Sequence, residues 1–144
     1  MNPEDIRQLV QGRIEEAVES LADAKALLDS GRSGRSIVNR SYYAMFYSVL
    51  ALLQTINRVP RKHKGAISLF DREFVHQGLL PKELSFDLHQ VFELRQVDDY
   101  KRIDPVGLDE AQDALTTAER FVAAVRQYLV EGGYLPKESS TPQL

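Results

Sequence analysis

Ser36-Ile37-Val38-Asn39-Arg40-Ser41-Tyr42-Tyr43-Ala44-Met45-Phe46-Tyr47-Ser48-Val49-Leu50-Ala51-Leu52-Leu53 is the stretch that decides the fold. It is apolar nearly all the way round a helix, the mark of a helix covered by neighbours on several sides. At about eighteen residues, with Tyr, Ser, Asn and Arg among them, it is too short and too polar for a membrane span. Its body, from Ala44 to Leu53, is expected in the core. Its first turn differs, because Asn39, Arg40 and Tyr43 carry polar chemistry to the edge of that core.

The flanking segments are amphipathic and can wrap it. Asn2-Pro3-Glu4-Asp5 reads as a helix start, with Asn as N-cap, Pro at the first helical position and acids facing the dipole. Ile6, Leu9, Val10, Ile14, Ala17, Val18, Leu21, Ala24 and Leu28 then form one stripe at helical spacing, ending near Ser30. The central helix is expected from about Arg35 to Ile56, stopped by Pro60, which disfavours helical geometry in the residue before it. A shorter helix from Lys64 to His76 carries Ile67, Phe70 and Phe74 on one side. A fourth opens at Pro81 with Leu84, Leu88, Val91, Phe92 and Arg95 inward, fading around Asp98 to Tyr100. Asp104-Pro105 signals the last, whose stripe runs from Leu108 through Phe121 to Leu129 before Gly132-Gly133. No strand-like alternation and no internal repeat appears. The expected fold is all-α, an antiparallel bundle of four long helices plus a short fifth. One domain is expected over residues 1–131, followed by a disordered tail, 132–144, rich in Pro, Ser and Thr.

Charge is unevenly spread. Between Ser30 and Phe70 lie seven cations and no acid, while the rest of the chain holds the other 11 cations against all 21 acids. A net charge of −3 argues against a general nucleic-acid coat protein. A basic surface on an acidic body is instead a footprint for phosphate or RNA, or simply a neutralising partner for acidic flanking helices. The chain has no cysteine, which excludes disulfides, thiolate metal sites and cysteine nucleophiles and fits a cytoplasmic location. No secretory signal pattern is visible at the N-terminus.

Four motifs carry chemistry. In Arg95-Gln96-Val97-Asp98-Asp99-Tyr100, the arginine reaches either carboxylate on a helix, as a structural ion pair or as a planar fork for phosphate. In Asn39-Arg40-Ser41-Tyr42-Tyr43, an arginine entering a core helix needs a partner or a wet head, and Asp98 or Asp99 is the natural partner. Arg58-Val59-Pro60-Arg61-Lys62-His63-Lys64-Gly65 puts four cations and a histidine at a helix start, as a phosphate cradle or a solvated basic loop. Glu73-Phe74-Val75-His76 is a single Glu-x-x-His pair, where carboxylate-bridged metal bundles use two. No metal and no cofactor is expected.

These motifs together resemble the HEPN-domain family, in particular its small prokaryotic HepT-like toxins. The resemblance rests on Asn39 to Tyr47, on Lys62-His63-Lys64-Gly65 with Phe70 after it, and on Arg95 followed by Asp98-Asp99-Tyr100. It implies a helical bundle that dimerises, with the arginine motifs meeting at a cleft between protomers. It also implies a toxin-like partner of a minimal nucleotidyltransferase antitoxin, and in many members a metal-independent ribonuclease. In the ribonuclease subset a histidine follows the arginine with four to six residues between them. Here positions 100–102 are Tyr100, Lys101 and Arg102, so that histidine is absent.

On this footing Arg95, Asp99 and Tyr100 are the candidate catalytic residues. Asn39, Arg40, Tyr43, His63 and Asp98 are the candidate RNA- or nucleotide-binding residues, and Tyr100 is also a candidate site of nucleotide transfer from the antitoxin. The expected function is binding of RNA or a nucleotide, with or without cleavage of RNA. The alternative is a non-catalytic nucleotide-binding or protein-interaction module. The expected partners are a second copy of the chain, the nucleotidyltransferase and the RNA or nucleotide ligand, with no membrane.

Overall fold

The computed structural model describes residues 1–96 and 106–137. Five α-helices follow in order: α1 (Pro3–Asp29), α2 (Gly34–Thr55), α3 (His63–Phe70), α4 (Lys82–Gln96) and α5 (Leu108–Glu131). A π-helical turn, Asp71–Val75, continues α3. The described residues contain no strand. The all-α bundle of four long helices and one short one is the fold the apolar spacing predicts.

α2 is the hub. It packs against α1, α3, α4 and α5, and every residue from Ala51 to Leu53 is fully buried. The inward stripes of α3 and α4 are buried as expected, including Ile67, Phe70, Leu84, Leu88 and Val91, with Phe74 from the π-helical turn. Three positions depart from their stripes. Leu9, Val18 and Leu108 are each more than two-fifths exposed, because a bundle helix needs only one apolar face and these sit at its margins.

The ends of the helices are set locally. Asn2 caps α1 by accepting the Asp5 backbone N–H at 2.8 Å, with Pro3 as first residue, as the sequence indicates. α2 stops at Thr55 for a different reason from the one Pro60 suggests. Asn57 adopts φ 58°, and the backbone N–H groups of Arg58 and Asn57 close on the Leu53 and Gln54 carbonyls. That is a left-handed helix stop, which Asn tolerates better than most non-glycine residues.

Two features hold the bundle in register around the site. A Cβ on Gly34 would collide with the Val106 carbonyl oxygen and stand 3.1 Å from that of Gly107, so the start of α2 lies directly against the strand of chain entering α5. Asp71, the first residue of the π-helical turn, accepts hydrogen bonds from Ser85 and His89 of α4, both at 2.6 Å. α5 begins at Leu108 with Gly107 as its N-cap, and Glu110 reaches back to the Gly107 N–H. The Asp104-Pro105 start signal lies outside the described residues. Tyr134 and Leu135 lie partly buried against the core beyond α5.

Candidate functional site

Arg95, in the last turn of α4, points at the first turns of α2. Its Nε donates to Asn39 Oδ1 at 3.1 Å, one Nη donates to the Tyr43 hydroxyl at 3.3 Å, and the other donates to Gln96 Oε1 at 3.3 Å. The guanidinium stands 5.1 Å from the ring centres of both Tyr42 and Tyr43. An arginine head laid on two aromatic faces keeps its charge while shedding part of its water. Among the described residues three of its five N–H bonds are taken, and the other two have no protein partner.

The same helical turn places Arg40 beside it. The Arg40 guanidinium lies 5.5 Å from the Tyr43 ring centre, and its Nε is buried with no hydrogen-bond partner among the described residues. Among the described residues no carboxylate pairs with Arg40 or Arg95. A cavity of about 590 Å³ opens here, lined by Arg35, Ser36, Asn39, Arg40, Arg95 and Gln96 with an apolar floor from Leu27, Val38, Leu94 and Val106. Arginines with no acid among the described lining are the chemistry that oxyanions such as phosphate favour.

His63 meets the same tyrosine pair. It is the first residue of α3 and lies flat on Phe46, ring centres 4.1 Å apart and planes 4° apart. Its Nδ1 is 2.8 Å from the Tyr42 hydroxyl. Its ring centre is 5.6 Å from that of Tyr42 and 5.7 Å from that of Tyr43, the two rings on which Arg95 also rests. Partial burial, and then the Arg95 charge, hold the imidazole below its ordinary pKa of 6.5. Burial pushes the Tyr42 phenol well above its ordinary value, against the pull of Arg95, so it stays protonated.

The structure thus brings together Asn39, Arg40, Tyr43, His63 and Arg95 from the sequence candidates. Asp98, Asp99 and Tyr100 lie outside the described residues, as does the expected Arg40–Asp98 or Arg40–Asp99 contact. Arg58, Arg61, Lys62 and Lys64, which flank His63 in the sequence, are exposed. In the Glu-x-x-His pair, Glu73 lies against Arg72 at 2.8 Å. Among the described residues no three His, Asp or Glu side chains converge as metal ligands. Tyr42 and Gln96 are the residues that sequence reading missed. Tyr42 is fully buried; its hydroxyl matters because α3 brings a histidine to it.

None of the described helices is long and apolar enough to cross a membrane. A family model described as HEPN domain matches residues 10–128. A protein of Methanocaldococcus jannaschii named "Putative toxin MJ0605" is 37% identical over 127 residues, 88% of this chain and 93% of that protein. A UPF0332 protein of Thermotoga maritima is 39% identical over 113 residues, 78% of this chain and 85% of that protein. "Putative toxin MJ0142", also from Methanocaldococcus jannaschii, is 32% identical over 126 residues, 88% of this chain and 85% of that protein.

Proposed function

Because the chain belongs to the HEPN-domain family, we propose that it is a toxin-like protein that binds RNA phosphates in the Arg95 cleft. The observation that carries this reading is the guanidinium of Arg95, fixed by Asn39 and Tyr43 beside Arg40 with N–H bonds left for an anion. The names of its relatives favour a toxin role. The partner in this reading is a minimal nucleotidyltransferase antitoxin, the working unit is a homodimer, and the setting is the cytoplasm. Tyr100 is its acceptor for nucleotide transfer. Incubation with that nucleotidyltransferase and ATP then adds nucleotide mass to the wild-type chain and none to Tyr100→Phe, read by intact mass spectrometry.

A second reading, metal-independent RNA cleavage, is favoured by the same guanidinium. In such a reaction the ribose 2′-hydroxyl attacks the adjacent phosphorus, the bond to the 5′-oxygen breaks, and a 2′,3′-cyclic phosphate and a free 5′-hydroxyl result. Arg95 is placed to stabilise the charge that develops on the phosphorane oxygens. One experiment addresses both readings: RNA is titrated with protein in EDTA and followed by fluorescence anisotropy and by gel. Arg95→Ala is expected to weaken binding about tenfold or more, the worth of a charged hydrogen-bonded contact. Cleavage by wild type and its loss in Arg95→Ala supports the ribonuclease; binding without cleavage leaves the RNA-binding module. Equal binding by wild type and Arg95→Ala overturns the assignment of the cleft.

A further inference from the structure

We propose that His63 serves this cleft as a fixed hydrogen-bond donor, offering its Nε2–H to an RNA phosphate oxygen, with Tyr42 as the positioning residue that sets its tautomer. The inference rests on the reading of the Arg95 cleft as an RNA site and specifies what His63 does there.

The proton of Tyr42 decides the tautomer. Its side chain is fully buried, and among the described residues the only hydrogen-bond partner of its hydroxyl is His63 Nδ1 at 2.8 Å. A buried O–H left unpaired is costly, so the phenol donates and Nδ1 accepts. A neutral imidazole carries one N–H, and with Nδ1 accepting that proton sits on Nε2. A second proton on Nδ1 would leave the Tyr42 O–H with no acceptor. Burial and the Arg95 charge oppose that protonation as well.

Nε2 is available. Among the described residues His63 makes no other hydrogen bond, and its Nε2 is not a buried atom lacking a partner, so it keeps some exposure to solvent. The ring cannot swivel freely, being stacked on Phe46 and edge-on to Tyr43. It therefore presents a neutral, directed N–H beside the tyrosine pair that carries the Arg95 guanidinium. A donor adjacent to a cation suits an anionic oxygen. The same wiring occupies the one lone pair with which a neutral imidazole could take a proton, so His63 is not a general base in this state.

The test uses the full chain, a short single-stranded RNA with 2′-O-methyl riboses that no ribonuclease of this type can cut, and the variants His63→Gln, His63→Ala, Tyr42→Phe and Arg95→Ala. Glutamine can place an amide N–H where Nε2 stands but cannot act as a base. His63→Gln is expected to bind within about threefold of wild type, while His63→Ala loses about tenfold or more. Histidine-ring ¹⁵N NMR at neutral pH is expected to show the Nε2–H tautomer in wild type and its loss as the dominant form in Tyr42→Phe. A wild-type Nδ1–H tautomer, or equal loss of binding in His63→Gln and His63→Ala, overturns the proposal. If Arg95→Ala binds as wild type does, the reading of the cleft fails first, and the NMR tautomer still separates that failure from one at His63. The same variants titrated with ATP separate the two sources of phosphate: an effect of His63→Ala on ATP but not on RNA overturns the assignment to RNA.

Discussion

Arg95 is useful because its neighbours already hold it. A long side chain that orders only when a phosphate arrives gives up rotamer entropy at that moment, on the order of 0.5–1.5 kcal/mol. Asn39 and Tyr43 hold the head in place beforehand through the bonds at 3.1 and 3.3 Å. Asn39→Ala leaves the charge intact and frees the head, so RNA affinity is expected to fall about two- to tenfold with no change in fold. Fluorescence anisotropy measures it, and unchanged affinity would remove Asn39 from the site. At this scale the sequence was informative: the polar first turn of α2 and the arginine ending α4 stand out against their apolar stripes. The Tyr42–His63 bond does not stand out, because nothing in a tyrosine's spacing says where its hydroxyl will end.

At the scale of elements, the cleft depends on how α2 meets its neighbours. The start of α2 touches the backbone of Val106 and Gly107, and this contact closes one side of the arginine pocket. Gly34→Ala must push the Val106 carbonyl aside or shift the helix. A loss of about 1–3 kcal/mol of stability is expected, as for other forced overpacking, read from denaturant unfolding. A loss below about 0.5 kcal/mol, the usual effect of a surface substitution, would show that this segment moves away cheaply. α4 is tied elsewhere, by Ser85 and His89 to Asp71 in the π-helical turn. That turn read in the sequence as a plain continuation of α3. A π-helical turn shares the apolar spacing of its flanks and differs only in which carbonyl each N–H meets, as where His76 N–H closes on the Asp71 carbonyl at 2.8 Å.

At the scale of the whole molecule, an acidic chain carries a basic segment, residues 30–70, that holds seven of its 18 cations and no acid. His63 sits inside that segment and faces Arg95, Tyr42, Tyr43 and Phe46. Its pKa is lowered in the folded state from 6.5, so the unfolded chain binds the proton more readily. Above 6.5 both states are neutral and His63 has no effect on stability; as pH falls below 6.5, stability is lost until the folded-state pKa is passed. The fall in melting temperature between pH 7 and pH 5 is therefore expected to be smaller in His63→Gln than in wild type. Equal falls would show that the folded chain accepts this proton as easily as the unfolded one.

The sequence by itself determined the all-α class, the number of helices and most of their buried faces. Those follow from apolar spacing and local caps, such as Asn2 before Pro3, which act within a few residues. It also marked Asn39, Arg40, Tyr43, His63 and Arg95 as chemically out of place. Only the tertiary structure decided which of their atoms meet. Arg95 lies 56 residues from Asn39, and the Tyr42–His63 bond joins residues 21 apart. Such contacts are set by the packing of α4 and α3 on α2, through buried side chains whose partners no local pattern names. The tautomer of His63 follows from that packing as well, because it depends on a buried hydroxyl having one acceptor within reach.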